Sequence, residues 1–322
     1  MIDRRFLSSE DARDLTFCFH RLRFHFTALD PIWFPEAQPA NILRGALGLM
    51  LRKVACAPDC QDPASCRVQE CPYRRLFAPR PPALPSGLTD APRPFVFRAA
   101  HLSGREIGRG ACFHFDIHVF ERSLASLPHF VAAFRELATE GVGPRRGKVQ
   151  LTRAEVLNDQ GEPVGAVFDG IRWEQFAHPV EIDLAQAAPA AAVQVRYLTP
   201  TELKVGNGLA EKPDFGVLMA RVRDRLSTLR SLYGSGPLPL NFRYFAQQAA
   251  LIRMTHCEIQ PVKLLRRSRR TGQTHPLGGF VGWARYEGNL TPFFPFLKAA
   301  SFTGIGRQTV WGKGEIAVAQ LD

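Results

Sequence analysis

Hydrophobic periodicity runs twice along this chain in one order: strand, helix, strand, strand, helix, strand. Residues 16–28, T-F-C-F-H-R-L-R-F-H-F-T-A, alternate with the period of a strand. Cys18, His20, Leu22, Phe24 and Phe26 share one face, and Arg21, Arg23 and His25 share the other. From about 38 to 55, Ile42, Leu43, Ala46, Leu47, Met50, Leu51 and Val54 recur at helical spacing. Strand patterns follow at 94–100 and 111–120, a helical one at 124–140 and a strand at 148–157. The turn-rich stretch 158–190 ends in A-Q-A-A-P-A-A-A and reads as a linker. The second round has a strand at 193–205, helices at 214–232 and 241–257, and two strands at 261–270 and 278–286. A short helix at 290–300 and a last strand at 315–320 complete it.

This order predicts an α+β chain built from two tandem ferredoxin-like (RRM-like βαββαβ) units, a duplication of fold rather than of sequence. The expected domains are 1–185, with an insertion at 56–71, and 192–322, with a basic hairpin and a glycine-rich loop. At 322 residues and 45% hydrophobic content the chain can fill two cores. No apolar run has the length of a transmembrane helix, and M-I-D-R-R-F-L-S-S-E lacks the apolar region of a signal peptide. A cytosolic location without membrane partners is the expectation.

Lys and Arg number 41 against 30 Asp and Glu, a formal net charge of +11. The excess is clustered: Lys263, Arg266, Arg267, Arg269 and Arg270 in one stretch, Arg145, Arg146 and Lys148 in another. Such clusters fit a polyanionic partner, because neutralising phosphates releases counterions and steers encounter. Nothing resembles a compact Asp/Glu/His cluster for two divalent ions, which disfavours a metal-dependent nuclease.

The most glycine-dense segment is S-F-T-G-I-G-R-Q-T-V-W-G-K-G-E, residues 301–315, where Gly304, Gly306, Gly312 and Gly314 frame Arg307 and Lys313. A dinucleotide fingerprint would place its glycines directly after a first strand, opening a helix, and a P-loop would need G-K-[ST]. Here they fall between the last helix and the last strand, so both readings fail. What remains is a loop whose backbone amides can approach a phosphate chain. Trp311 within it is either a base-stacking ring or a packed one.

On these residues the chain resembles the repeat-associated RNA-binding (RAMP) superfamily of CRISPR systems, and within it the endoribonucleases that process the precursor CRISPR transcript. G-I-G-R-Q-T-V-W-G-K-G-E-I resembles their C-terminal glycine-rich loop. I-L-R-G-A-L-G-L-M-L-R-K-V-A-C (42–56) is similar to the helix after the first strand. L-L-R-R-S-R-R-T-G-Q-T-H-P-L-G-G-F-V-G (264–282) is similar to the basic hairpin before the last helix. The resemblance implies a metal-independent cut within repeat RNA by attack of the 2′-hydroxyl, leaving a 2′,3′-cyclic phosphate and a 5′-hydroxyl. It implies no catalytic cofactor. The implied partners are CRISPR repeat RNA, as precursor and mature guide, and a CRISPR effector complex.

That reaction needs proton transfer and charge neutralisation at phosphorus. The family often carries a histidine on or near the first helix, and residues 38–55 contain none. Arg44 and Arg52 are therefore the candidate phosphate stabilisers. His25 is either the acid/base group or a histidine satisfied within its sheet. His275, in the hairpin, is open to RNA contact or catalysis. The RNA-binding candidates are the loop residues Gly304, Gly306, Arg307, Gly312, Lys313 and Gly314, with Arg266, Arg267, Arg269 and Arg270 of the hairpin. The alternative is a non-catalytic RNA-binding subunit of an effector complex. Gly48, between Arg44 and Arg52 on one stripe, implies close approach of another backbone, a ligand or the sheet.

Four of the seven cysteines, Cys56, Cys60, Cys66 and Cys71, crowd into C-A-P-D-C-Q-D-P-A-S-C-R-V-Q-E-C-P-Y. Their spacing is looser than paired C-x-x-C knuckles, but four thiols in a Pro- and Asp-rich loop fit a structural zinc site. The C-P dipeptide makes an iron–sulfur cluster the alternative.

Overall fold

In the computed structural model the described residues are 3–8, 14–56, 60, 68, 71–81, 83–84, 88, 90–186, 188–267 and 274–321. The first unit contains β1 (Thr16–Ala28), β2 (Ile32–Trp33), α1 (Pro39–Ala55), α2 (Pro72–Phe77), β3 (Phe95–Arg98) and β4 (Glu106–Ile107). It continues with β5 (Cys112–Val119), α3 (Leu127–Glu140), β6 (Val149–Leu157), β7 (Pro163–Phe168) and β8 (Val180–Asp183). Its antiparallel sheet runs β3-β5-β1-β6-β7, with β8 also paired to β1 and β2 paired separately with β4. The second unit contains β9 (Ala192–Thr201), β10 (Lys204–Val205), β11 (Gly208–Leu209), α4 (Phe215–Tyr233), α5 (Phe242–Ala249) and β12 (Arg253–Val262). β13 (Leu265–Arg267), β14 (Thr274–Pro276), β15 (Gly279–Glu287), α6 (Phe294–Thr303) and β16 (Ile316–Leu321) follow. Its sheet runs β12-β15-β9-β16. Both units thus have the ferredoxin-like strand order in which the first strand lies between the third and the last.

Two expectations need correction. Residues 158–190 are not a bare linker, since β7 extends the first sheet and β8 pairs with β1. The second helix at 241–257 stops at Ala249, and 253–262 form β12. There Cys257 and Ile259 pack on the core while His256 and Glu258 are exposed, an alternation that outweighs the helical look of A-A-L-I-R-M.

β1 organises the molecule because its two faces meet different partners. Leu22, Phe24 and Phe26 pack under α1 and α3 with Leu43, Leu47, Leu51 and Phe134. Each large side chain buried in this way contributes roughly 1.5–3 kcal/mol. On the opposite face Phe17 and Phe19 join the second core with Leu218 and Met219 of α4 and Phe296 of α6. Phe19 and Phe302 rings lie 4.8 Å apart. The face that carries Arg21, Arg23 and His25 is therefore apolar where the second unit's helices cover it and polar beyond them. The layers run helices, first sheet, helices, second sheet, and no described element covers the far face of the second sheet.

Candidate RNA-processing site

The glycine-rich loop leaves α6 at Gly304 and returns into β16. All four of its glycines have positive φ, 71° to 87°. Two of them show why no other residue serves. A Cβ on Gly314 would stand 1.9 Å from the Ile305 carbonyl oxygen, and one on Gly312 would stand 2.4 Å from the Ala40 Cβ at the start of α1. The loop is folded tightly on itself and seated on the first unit's helix. Its 3₁₀ turn, Thr309–Trp311, touches both α1 and the edge strand β3.

Arg44 meets the loop there. Its guanidinium lies 4.3 Å over the Phe77 ring of α2 and 5.9 Å from the Trp311 ring. Phe77 also accounts for Gly48, since a Cβ at that position would come within 2.3 Å of the ring. The close neighbour is an aromatic side chain, not the sheet or a ligand. Arg52, two turns further on, lies about 12 Å along the helix from Arg44 and donates to the Cys60 carbonyl at 3.4 Å.

Lys313 does not project from the loop. Its ammonium is buried and paired with Glu202 Oε2 at 2.6 Å, with Gln308 Oε1 at 3.2 Å. Burial pulls its pKa below the ordinary lysine value, and the Glu202 pairing opposes that. Arg307, by contrast, is exposed. Of the hairpin cations, Arg266 and Arg267 lie in β13, while Arg269 and Arg270 fall outside the described residues. His275 lies in the partner strand β14.

His25 stands on the other face of the first sheet from α1, so the three catalytic candidates do not converge on one point. It pairs with the buried Glu155 at 2.8 Å, and Glu155 also holds Arg153 at 2.6 Å. Its cross-strand partner is His114, 5.8 Å away between ring centroids, which stacks on His101 at 4.7 Å. Arg23 and Asp116 form a bidentate pair beside them, at 2.7 and 3.0 Å. Burial, with Arg23 and His101 nearby, holds the His114 pKa below the usual histidine value. His101, His114 and Glu155 are absent from the sequence reading. The alternation of F-H-F-D-I-H-V marks His114 and Asp116 as one face, but their juxtaposition with Arg23 and His25 depends on strand register, which a single sequence does not display.

The structural zinc expectation is not supported. Cys56, Cys60 and Cys71 are described and unoxidised, and Cys66 lies outside the described residues. Among the described residues no group of three or more His, Cys, Asp or Glu side chains is placed to hold a metal ion. Burial, with Cys60 and Cys71 close by, pushes the Cys56 thiol up to about 11. No helix among the described residues is long and apolar enough to cross a membrane.

Two ferredoxin-like units closed by a glycine-rich loop define a RAMP-type protein of CRISPR systems, and comparison with known proteins agrees. The AF_1859_N model, described as an N-terminal domain, matches residues 15–179. The model of the CRISPR-associated endoribonuclease Cas6 matches residues 195–316. The match to the CRISPR-associated endoribonuclease Cas6 family thus lies in the second unit, and the match to AF_1859_N spans just over half of the chain. Among solved structures, Thermus thermophilus Cas6 is 15% identical with a TM-score of 0.53, covering 95% of this chain and 100% of its own. A Cas6 product complex is 17% identical with a TM-score of 0.54, covering 94% and 100%. A partial Cas6-RT-Cas1–Cas2 complex is 11% identical with a TM-score of 0.56; the match covers 94% of this chain and 46% of that one. At these identities the likeness is one of fold. No curated protein is significantly similar in sequence.

Proposed function

We propose that the chain cuts precursor CRISPR RNA within the repeat without a metal ion, leaving 5′-hydroxyl and 2′,3′-cyclic phosphate ends. The observation that carries this reading is the seat of the glycine-rich loop on α1 beside Arg44, in a chain whose residues 195–316 match the Cas6 endoribonuclease model. Attack by a 2′-hydroxyl gathers negative charge on the phosphate, and a fixed cation lowers that barrier. A guanidinium held between two rings is such a cation and keeps its charge at every working pH. Arg44 is therefore the phosphate stabiliser of this reading. Exposed Arg307 grips the adjacent backbone and the hairpin arginines extend the contact. The amides of Gly304, Ile305, Arg307, Trp311, Gly312 and Gly314 already donate to carbonyls of the protein and shape the loop instead. Lys313 holds the loop's shape through Glu202. Arg52 and His25 stand apart from this point. Repeat RNA is the partner, which the related Cas6 product complex supports. The Cas6-RT-Cas1–Cas2 complex supports membership of a larger assembly.

The test is single-turnover cleavage of the cognate repeat RNA in EDTA, with the product ends resolved. Arg44→Ala is expected to slow the cut by about 10²–10³-fold, as loss of one transition-state charge partner does. RNA affinity should change only a few-fold, and His25→Ala and Arg52→Ala should cut at near wild-type rate. Loss of the cut in EDTA would end the metal-independent reading. Inactive His25→Ala beside active Arg44→Ala would move the chemistry to the open face of the first sheet. The missing histidine on α1 favours one other reading, a non-catalytic RNA-binding subunit, and tight binding without any cut would establish it.

A further inference from the structure

The second sheet has one face packed on α4 and α6 and one face in solvent. On the solvent face, Arg196 and Leu198 of β9 stand beside Trp283 and Arg285 of β15, with His256 and Glu258 of β12 next to them. Trp283 is the cross-strand partner of both Arg196 and Glu258. Its ring stacks on His256 with centroids 4.6 Å apart and planes within 14°. Glu258 holds both rings, accepting from the indole N–H at 3.2 Å and bonding His256 Nε2 at 2.9 Å. The two rings are thus oriented by one carboxylate rather than by burial, and the His256 side chain is 49% exposed. Arg196 is exposed and has no ion-pair partner among the described residues. β12 leads directly into the basic β13–β14 hairpin.

A flat pair of rings, Trp283 on a central strand and His256 on the edge strand beside it, on the open face of a four-stranded antiparallel sheet with an uncompensated arginine next to it, suits one kind of ligand. We propose that this face is a stacking platform for unpaired bases of the RNA, one base lying on the open face of His256 with its phosphate at Arg196. The inference rests on the reading of the chain as an RNA-processing protein and adds a second contact region away from the glycine-rich loop. Base–aromatic stacking is tolerant of sequence, because every base has a π-face. The platform therefore takes single-stranded RNA flanking the repeat's paired part rather than reading its sequence.

The experiment measures binding of fluorescein-labelled octauridylate, which has no hairpin, by anisotropy across a salt series. Trp283→Ala and His256→Ala are expected to weaken binding about tenfold or more, the loss typical of one stacked base. Trp283→Phe keeps a ring and should stay within about threefold of wild type, and it is the control for the fold. Arg196→Ala should reduce the salt slope by about one phosphate contact. Octauridylate bound equally by wild type, Trp283→Ala and His256→Ala overturns the platform. Cleavage of the cognate repeat by wild-type protein is measured in parallel. A wild type that cuts the repeat while those alanine variants bind octauridylate normally defeats this inference alone. A wild type that binds octauridylate through Trp283 yet cuts no repeat defeats the proposed function and leaves the platform standing.

Discussion

Lys313 shows how far a residue's type can mislead about its task. A lysine among glycines near a basic hairpin reads as a phosphate ligand, yet this one is buried against Glu202 and spans the loop from inside. Removing one member of a buried pair leaves the other charge uncompensated, at a cost of about 3–5 kcal/mol. Lys313→Met should therefore lower stability by about that much in urea denaturation, and Lys313→Met with Glu202→Leu should recover most of it. A double variant no better than the single would mean that the pair is not what holds the loop. The other site residues were legible in proportion to how local their cause is. The glycines announced a tight loop because positive φ is a property of single residues. Arg44 was picked out by its helical stripe, but its rings come from positions 77 and 311, which no spacing connects. Glu155 behind His25 was hidden for the same reason.

At the scale of elements, the end of α6 decides where the loop goes. The last carbonyls of that helix are capped by the other unit and by α4. Arg98 Nη2 donates to the Ser301 and Phe302 carbonyls at 3.1 and 2.9 Å, and His118 Nδ1 to Phe302 at 2.9 Å. Arg225 donates twice to the Thr303 carbonyl, at 3.0 and 2.9 Å. Cations at a helix C-terminus oppose the negative end of its dipole. Two guanidiniums at one helix end, Arg98 buried and Arg225 half-buried, also repel each other: desolvation and then Arg98 bring the Arg225 pKa down to about 9. Arg225→Met should thus cost about 1–3 kcal/mol through the unsatisfied carbonyl. The double variant with Arg98→Met should cost more than the two single losses summed, because each single loss already relieves the repulsion, a coupling that a double-mutant cycle measures. Strict additivity would remove the repulsion from the account. The loop's other anchor, Gly312 against Ala40, is tested by Gly312→Ala, which should displace the loop from α1 and slow cleavage. Adding Ala40→Gly should restore part of the rate, since it removes the clashing methyl but not the strain of φ at 87°.

Across the whole molecule, the order of elements was legible and the contact between units was not. Periodicity located β1, α1, α3, β6, α4, α6 and β16 within a few residues, because each buries one regular stripe. It missed β8 and read the first half of β12 as the end of a helix, and the pairing of both depends on strands far away in the chain. It also left Phe17 and Phe19 unexplained, since the face of β1 that reads as polar starts apolar where α4 and α6 cover it. That buried contact carries a titratable group. His118 lies there between Arg98, Arg21 and the Phe302 carbonyl, and burial first, then the two arginines, holds its pKa well below the usual histidine value. Its Nε2 has no hydrogen-bond partner among the described residues, so protonation would strand an N–H in the interior. The native state therefore binds fewer protons than the unfolded chain once pH falls below the unfolded histidine value of about 6.5. Stability is fully present above that pH and is lost as pH falls toward the folded value, by up to about 1.4 kcal/mol per pH unit for this group. His20 and His129, whose pKa values burial also lowers, add in the same direction. Denaturant unfolding between pH 7 and pH 5 should show falling stability, and His118→Gln should flatten the slope by about that amount. An unchanged slope in His118→Gln would mean that His118 is not buried as a neutral ring and that the two units do not close over it.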